Sequence, residues 1–526
     1  MGTTYLNVFN GRYRGSKLSE DKCKELEKII SLDKENGKCK ELKHIIYNIS
    51  DEDTIAYINS YEDKNATPIT VNKPLGELRD DQTLGVAFMY VAERCILGDS
   101  VGMGKTVESA GLIQRLKQDN PNMRFCVFTG TNLTVQFRKE LVKFTGEYVT
   151  LLETAEQTRL SKFYNQYPYT SDKSEIPNVV GSHSLITAPI FIQWLEQYKA
   201  VNKEYPFDLF IVDESSILGG TDTKIVDTFS LLANNVPRIV FLNATPFETS
   251  LLTFYNQLNI LDKSLMPTKT EFQNQFMVMD YTGIYPRPTG KYKNEEDFKQ
   301  YIGYRYFART RKDKGAKIEN SGGGVIVSPL SKIQKSLLKR TTMYRMVYDC
   351  PQYLDPDIEF NEENVPKLQS LNNLLSNECK GNQVIIFVPY IDSQTEIRDW
   401  LIAKGYKVDV LNGKVKQKER TRIIDEFKNG DLDILITNVQ KGLNFGNCNY
   451  CIFYSMDTNP SRMLQFEGRI TRDFDIIGKN IYILCSEGKE MNTLNEVLRS
   501  RTKATTDFTN ADISVILQIL LENEKE

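Results

Sequence analysis

The stretch Gly98-Asp-Ser-Val-Gly-Met-Gly-Lys-Thr106 decides how this chain is read. It follows a short apolar run, Cys95 to Leu97, and precedes a segment with Val107, Ala110, Ile113 and Leu116 at helical spacing. A glycine-rich turn between a strand and a helix is where a phosphate cradle belongs, because the unpaired N–H groups of a helix start point at an anion. Gly102 and Gly104 would let backbone N–H groups turn toward phosphate oxygens, Lys105 would reach the β- and γ-phosphates, and Thr106 would ligate Mg²⁺. The strict pattern asks for glycine five residues before Gly104, where Asp99 stands.

Around this loop, apolar runs of about four residues alternate with helical segments: Cys95 to Leu97, Phe125 to Phe128, Leu209 to Val212 and Ile239 to Leu242. A second series follows at Val384 to Val388, Ile434 to Ile436, Tyr450 to Tyr454 and Ile481 to Leu484. Runs apolar on both faces are the mark of a parallel sheet covered by helices on each side, so two similar α/β lobes are expected. Between them, residues 263–365 carry Pro286, Pro288, the run Gly322-Gly323-Gly324 and many charges, the pattern of a linker with helical insertions. Ahead of the first lobe, Cys23 to Ile30 nearly repeats at Cys39 to Ile46 around Asn36-Gly37, which predicts a small helical hairpin without chemistry of its own.

The strand Leu209 to Val212 ends in Asp213-Glu214, an acidic pair at the carboxyl end of a strand, beside the ligand crevice of an open α/β sheet. Asp213 would hold Mg²⁺ and Glu214 would polarise an attacking water. The second lobe supplies Gln465-Phe-Glu-Gly-Arg-Ile-Thr-Arg472, in which Arg469 and Arg472 share one helix face and could stabilise the charge of a phosphoryl group in transfer. Glycines, one lysine, two carboxylates and two arginines suffice for phosphoryl transfer, which needs positioning and charge stabilisation more than covalent chemistry. The basic run from Arg287 to Arg345, interleaved with tyrosines such as Tyr301 and Tyr304, is the candidate for sequence-independent phosphate contacts.

Taken in order, these elements resemble the superfamily-two helicase-like ATPases, and within them the Swi/Snf-type DNA translocases, over about residues 76–490. Leu78 to Gln82 is similar to the family segment whose Gln contacts adenine, and Gly98 to Thr106 resembles its phosphate loop, Asp99 and Met103 included. Phe128 to Leu133 resembles the segment in which Thr131 and Asn132 would meet the DNA backbone. Asp213-Glu214 falls at the acidic box, where Ser216 replaces the usual His. Leu242 to Phe247 resembles the segment that couples nucleotide state to DNA grip, with Thr245 the coupling residue, and Gly442 and Asn444 of Gly442-Leu-Asn-Phe445 join it. Ala308 to Asp313 resembles a family block that general unwinding helicases lack and implies DNA contacts at Arg309, Arg311 and Lys312.

The resemblance implies two RecA-like P-loop lobes with a helical insertion or linker between them and a small helical N-terminal extension. The bounds are 1–70 for the extension, 71–262 and 366–500 for the lobes, 263–365 for the linker and 501–526 for a helical tail. Gln82, Asp99, Gly102, Met103, Gly104, Lys105 and Thr106 would bind ATP; Lys105, Asp213, Glu214, Gln465, Arg469 and Arg472 would carry hydrolysis; Thr106 and Asp213 would hold Mg²⁺. The implied partner is nucleic acid, double-stranded DNA first. Two other readings stay open: a strand-separating helicase acting on DNA or RNA, and a nucleotide-regulated binding protein without motor coupling.

Composition narrows the field. Of 526 residues, 40% are hydrophobic and 26% charged, and no run of ~18 apolar residues could cross a bilayer, so no membrane partner is expected. Nine scattered cysteines and the lack of a basic-then-apolar start predict a reducing, intracellular setting. High Lys, Asn and Ile usage suggests a compact, virus- or phage-encoded form. With only His44 and His183 available, a His-based triad or His-rich metal centre is not expected, and Cys448 and Cys451 are expected to be core residues. The net charge of −3 requires any nucleic-acid surface to be local.

Overall fold

The computed structural model describes residues 18–38, 45–63, 66–152, 157–220, 223–244, 251–263, 268–282, 286–439, 445, 448–455, 466–468, 470–471 and 475–493. The chain divides into two compact units at Lys314/Gly315.

The first unit opens with α1 (Glu20–Lys34), capped by the Ser19 hydroxyl, which accepts from the Lys22 N–H at 3.4 Å. A short antiparallel pair, β1 (Ile46–Tyr47) and β2 (Leu75–Gly76), brackets α2 (Asp51–Glu62). Of the second arm of the expected hairpin only the end lies among the described residues, and there it is not helical. Ile46 is in a strand, the helix that follows starts at Asp51, and residues 39–44 lie outside the described residues. The physical reason is pairing: Ile46 is buried opposite Gly76, a contact that the local Lys/Glu pattern does not encode.

After α3 (Asp80–Ala92) come β3 (Arg94–Leu97), α4 (Lys105–Asp119), β4 (Phe125–Thr129), α5 (Thr134–Thr145), β5 (Val149–Leu152), β6 (Asn178–Ser182), β7 (Leu209–Asp213) and β8 (Arg238–Leu242). An antiparallel pair, β9 (Met277–Asp280) and β10 (Arg287–Tyr292), precedes β11 (Tyr306–Phe307). The seven-stranded sheet has the order β11-β3-β8-β7-β4-β6-β5, with every neighbour parallel. Phe125, Val127, Leu209 and Ile211 pack toward one face, and Cys126, Phe128, Phe210 and Val212 toward the other. Each large apolar side chain removed from water contributes about 1.5–3 kcal/mol, so a run buried on both faces commits to the middle of a sheet.

The second unit is a six-stranded sheet of β12 (Ile318–Ser328), β13 (Val384–Phe387), β14 (Val408–Leu411), β15 (Ile434–Thr437), β16 (Tyr450–Phe453) and β17 (Ile476–Ser486). Its order is β12-β17-β16-β13-β15-β14, again parallel throughout. Residues 263–365 thus differ from a linker with helical insertions: they give β9, β10 and β11 to the first unit and β12 to the second. The glycine run that looked like a flexible joint lies in the edge strand β12, where the register slips between Asn320 and Gly322. Glycine in an edge strand marks such a bulge as readily as it marks a loop. The eight described cysteines are buried and unbridged, Cys448 and Cys451 among them. Among the described residues no helix is long and apolar enough to cross a membrane.

Candidate functional site: a phosphate loop beside an acidic strand end

β3 delivers the chain into the loop Gly98–Gly104, and α4 begins at Lys105 with Gly104 as its N-cap. Gly102 and Gly104 have φ of 85° and 97°, in the left-handed region that glycine alone enters cheaply. A Cβ on Gly104 would also collide with the Gln82 amide. The loop thus leads into the start of a 15-residue helix, where unpaired backbone N–H groups favour an anion.

Lys105 is partly buried, and its Nζ donates to the Asp99 carbonyl at 2.5 Å and the Ser100 carbonyl at 3.3 Å. Burial lowers the pKa of its ammonium, while the carboxylates of Asp99, Asp213, Glu214 and Glu108 act in the other direction. The acidic pair is thus close enough to act electrostatically on the loop lysine. Topology explains why. β8 lies between β3 and β7, so the carboxyl ends of all three strands come together, and Asn243 continues the ladder by donating its N–H to the Leu97 carbonyl at 3.0 Å.

Asp213 is fixed on two sides. Thr129 at the end of β4 donates from Oγ1 to Asp213 Oδ2 at 2.8 Å, and His183 Nε2 lies 2.7 Å from the Asp213 carbonyl oxygen. Glu214 follows at φ 53°, a left-handed conformation that costs an L-residue about 1–3 kcal/mol and persists at functional positions when the surroundings enforce it. The next residue, Ser215, donates to Gln257 Oε1 at 2.7 Å in a fully buried contact, and Asn256 donates to the Gly219 carbonyl at 2.9 Å. The helix Leu251–Leu261 is thereby stitched to the acidic box through Ser215 and Asn256. Ser215→Ala would strand the Gln257 acceptor at a cost of about 1–3 kcal/mol. That loss is expected as a lower urea midpoint, and an unchanged midpoint would assign the bond no weight.

The SNF2-related domain family matches residues 81–348, half of the chain. This chain belongs to the SNF2-related family. The helicase conserved C-terminal domain matches residues 366–473 of the same SNF2-related chain. Chromodomain-helicase-DNA-binding protein 8 of Danio rerio is 22% identical over 456 residues, which cover 75% of this chain and 17% of that protein. Chromodomain-helicase-DNA-binding protein 7 of Gallus gallus is 21% identical over 442 residues, 75% of this chain and 14% of that protein. The SNF2-related chain thus spans about a sixth of the length of these relatives. A solved structure, the Sulfolobus solfataricus SWI2/SNF2 ATPase core in complex with dsDNA, aligns over 83% of this chain and 98% of its own, with 17% identity and a TM-score of 0.40.

Within this SNF2-related chain the remaining predicted residues divide sharply. Gln82 stands beside the loop, but its Nε2 donates to the Met103 carbonyl at 3.1 Å and its Oε1 accepts from the Arg79 N–H at 3.2 Å. An adenine contact through Gln82 would need that amide to leave the loop. Met103 is buried beneath the loop, and Thr106 occupies the first turn of α4. Thr131 and Asn132 are exposed in the single turn Thr131–Leu133 that follows β4, at the same end of the sheet as the loop.

Arg309 and Arg311 are corrected as DNA contacts. Each is 3% exposed, Arg309 inside an ionic cluster and Arg311 donating to the Val101 carbonyl. Arg305, from the same basic run, is buried against Asp262 at 2.8 Å. Positive charge in a sequence does not say which way it faces, and here three arginines serve the interior. Lys312 lies in the single turn Lys312–Lys314. The Asp99 carboxylate is likewise turned away from the loop mouth, toward Arg309. Thr245, Gly442, Asn444, Gln465, Arg469 and Arg472 lie outside the described residues. Beside them, Phe466 and Ile470 are buried in the second unit, with Phe466 packed on Phe387 at 4.5 Å between ring centroids.

Sequence reasoning missed Thr129, His183, Ser215 and Gln257. Only His183 carried a signal, as one of two histidines in the chain.

Proposed function

We propose that this chain is an ATP hydrolase that needs Mg²⁺, is stimulated by nucleic acid and moves along duplex DNA. The observation that carries the proposal is that Lys105 and the Asp213-Glu214 carboxylates follow the carboxyl ends of β3 and β7, two strands of one parallel sheet with β8 between them, beside a loop that Gly102 and Gly104 turn through the left-handed region. In this reading the loop N–H groups and Lys105 grip the triphosphate of ATP, and Glu214 orients the attacking water. Thr106 and Asp213 would hold Mg²⁺, which supplies charge neutralisation between the β- and γ-phosphates. Such a site needs few protein ligands, since Mg²⁺ keeps several waters and binds substrate oxygens. Arg469 and Arg472 would add transition-state charge stabilisation, Thr245, Gly442 and Asn444 would couple nucleotide state to grip, and Thr131, Asn132 and Lys312 would touch the polymer backbone. Family membership and the DNA-binding relatives named above support DNA as the polymer.

The test is ATP turnover at fixed salt with no polymer, duplex DNA, single-stranded DNA and RNA. Duplex DNA is expected to stimulate most, with stimulation falling as salt rises because phosphate contacts release counterions. Equal turnover in all four arms would remove the polymer from the reading, and efficient displacement of a tailed duplex would replace translocation by strand separation.

A further inference from the structure

Arg309 lies at the centre of a buried ionic cluster behind the phosphate loop. Its Nε donates to Asp99 Oδ1 at 3.0 Å, and its Nη2 bridges Asp99 Oδ2 and Glu108 Oε1. Its Nη1 donates to the Asp81 carbonyl at the start of α3 and stands 3.7 Å from Asp33 Oδ1 of α1. Asp33 is held in turn by Lys314, whose Nζ is 2.8 Å from Oδ2. Asp99 and Glu108 are fully buried. Space for the guanidinium comes from Gly85 of α3, where any Cβ would collide with both Glu108 and Arg309.

The backbone around Arg309 follows the loop as well. β11 pairs with β3 in parallel, and the ladder runs on past the strand ends: the Gly98 N–H donates to the Phe307 carbonyl at 2.7 Å and the Ser100 N–H to the Arg309 carbonyl at 3.1 Å. The Arg309 N–H closes back on Asp99 Oδ1 at 3.0 Å. The first half of the phosphate loop is thus paired as if it were a strand, with Arg309 pinning the Asp99 side chain while the Asp99 carbonyl receives Lys105.

We infer that Arg309 is a positioning residue for nucleotide binding: through Asp99 it sets the path of the phosphate loop and the seat of Lys105, and Asp33 of the N-terminal helix α1 sets Arg309. This rests on the ATP-site reading and deepens it, giving α1 a part in the site and explaining why an aspartate stands where the strict loop pattern has glycine. A planar fork is needed to hold Asp99 on two oxygens and reach Glu108 as well, which an ammonium cannot do.

The test compares Arg309→Lys, Asp33→Asn and the double variant in the full chain, with thermal melting, ADP affinity, and KM and kcat for ATP. Arg309→Lys is expected to raise KM and the ADP Kd by roughly tenfold, the scale of one lost charge-assisted contact. Asp33→Asn is expected to raise both by a smaller factor, and to add nothing in the Arg309→Lys background. A merely structural role would lower kcat through a smaller active fraction and leave KM unmoved. That pattern, or wild-type KM and ADP affinity in folded Arg309→Lys, would overturn the inference. If Arg309→Lys does not fold, Asp33→Asn decides alone, and unchanged KM and ADP affinity there would overturn it. Lys105→Ala run in parallel separates the two levels: retained ADP binding and turnover in Lys105→Ala would sink the ATP-site reading, whereas their loss beside an unmoved Arg309→Lys would sink only the positioning role.

Discussion

Lys105→Ala is expected to lower ATP turnover by roughly 10³-fold, the scale on which removing a preorganised charge-stabilising group acts. Two effects add. In the proposed reading the ammonium grips the phosphates, so its loss would remove charge stabilisation that grows as the phosphoryl group departs. Its removal also leaves the carboxylates of Asp99, Asp213, Glu214 and Glu108, all of which act on Lys105, without that cation beside an incoming polyanion. Affinity for ATP is therefore expected to fall together with kcat. Phosphate release at saturating Mg-ATP and duplex DNA measures the first effect, and equilibrium binding of labelled ATP the second. Wild-type turnover would end the phosphate-cradle reading.

Glu214→Gln is expected to separate binding from chemistry. The amide keeps the size of the side chain and the φ of 53° at this position, so the acidic box and its bond from Ser215 to Gln257 should persist. What disappears, in the proposed reading, is the carboxylate that would take a proton from the attacking water, a function contributing roughly 10²–10⁴-fold in rate. Single-turnover hydrolysis should therefore drop by at least ~10²-fold while ATP affinity is preserved or slightly improved, one negative charge having left the site. Parallel losses of affinity and turnover would reassign Glu214 to substrate binding.

The site was legible to unequal degrees. Gly98 to Thr106 could be read because its chemistry is local: glycines in the left-handed region, a lysine and a hydroxyl at the start of one helix, all within nine residues. Asp213-Glu214 could be read as a pair at a strand end, yet its nearness to Lys105 follows from β8 lying between β3 and β7, an order not written in the spacing of the strands. Thr129 and His183 support Asp213 from other strand ends and carry no local pattern that marks them. Ser215, beside the Ser216 that replaces the usual His, bonds a helix some forty residues on, a meeting that no local pattern announces.

The two α/β units and the phosphate loop follow from composition along the chain, since periodicity and turn chemistry depend on neighbours a few residues apart. The facing of charge does not. Arg309 and Arg311 read as surface cations and are interior, and Asp33 in a helix given no role stands 3.7 Å from the guanidinium of Arg309. A buried ion pair exists only where residues hundreds of positions apart are brought within a few ångströms and shielded from water together, and that meeting is a property of strand order and helix packing rather than of any stretch of sequence.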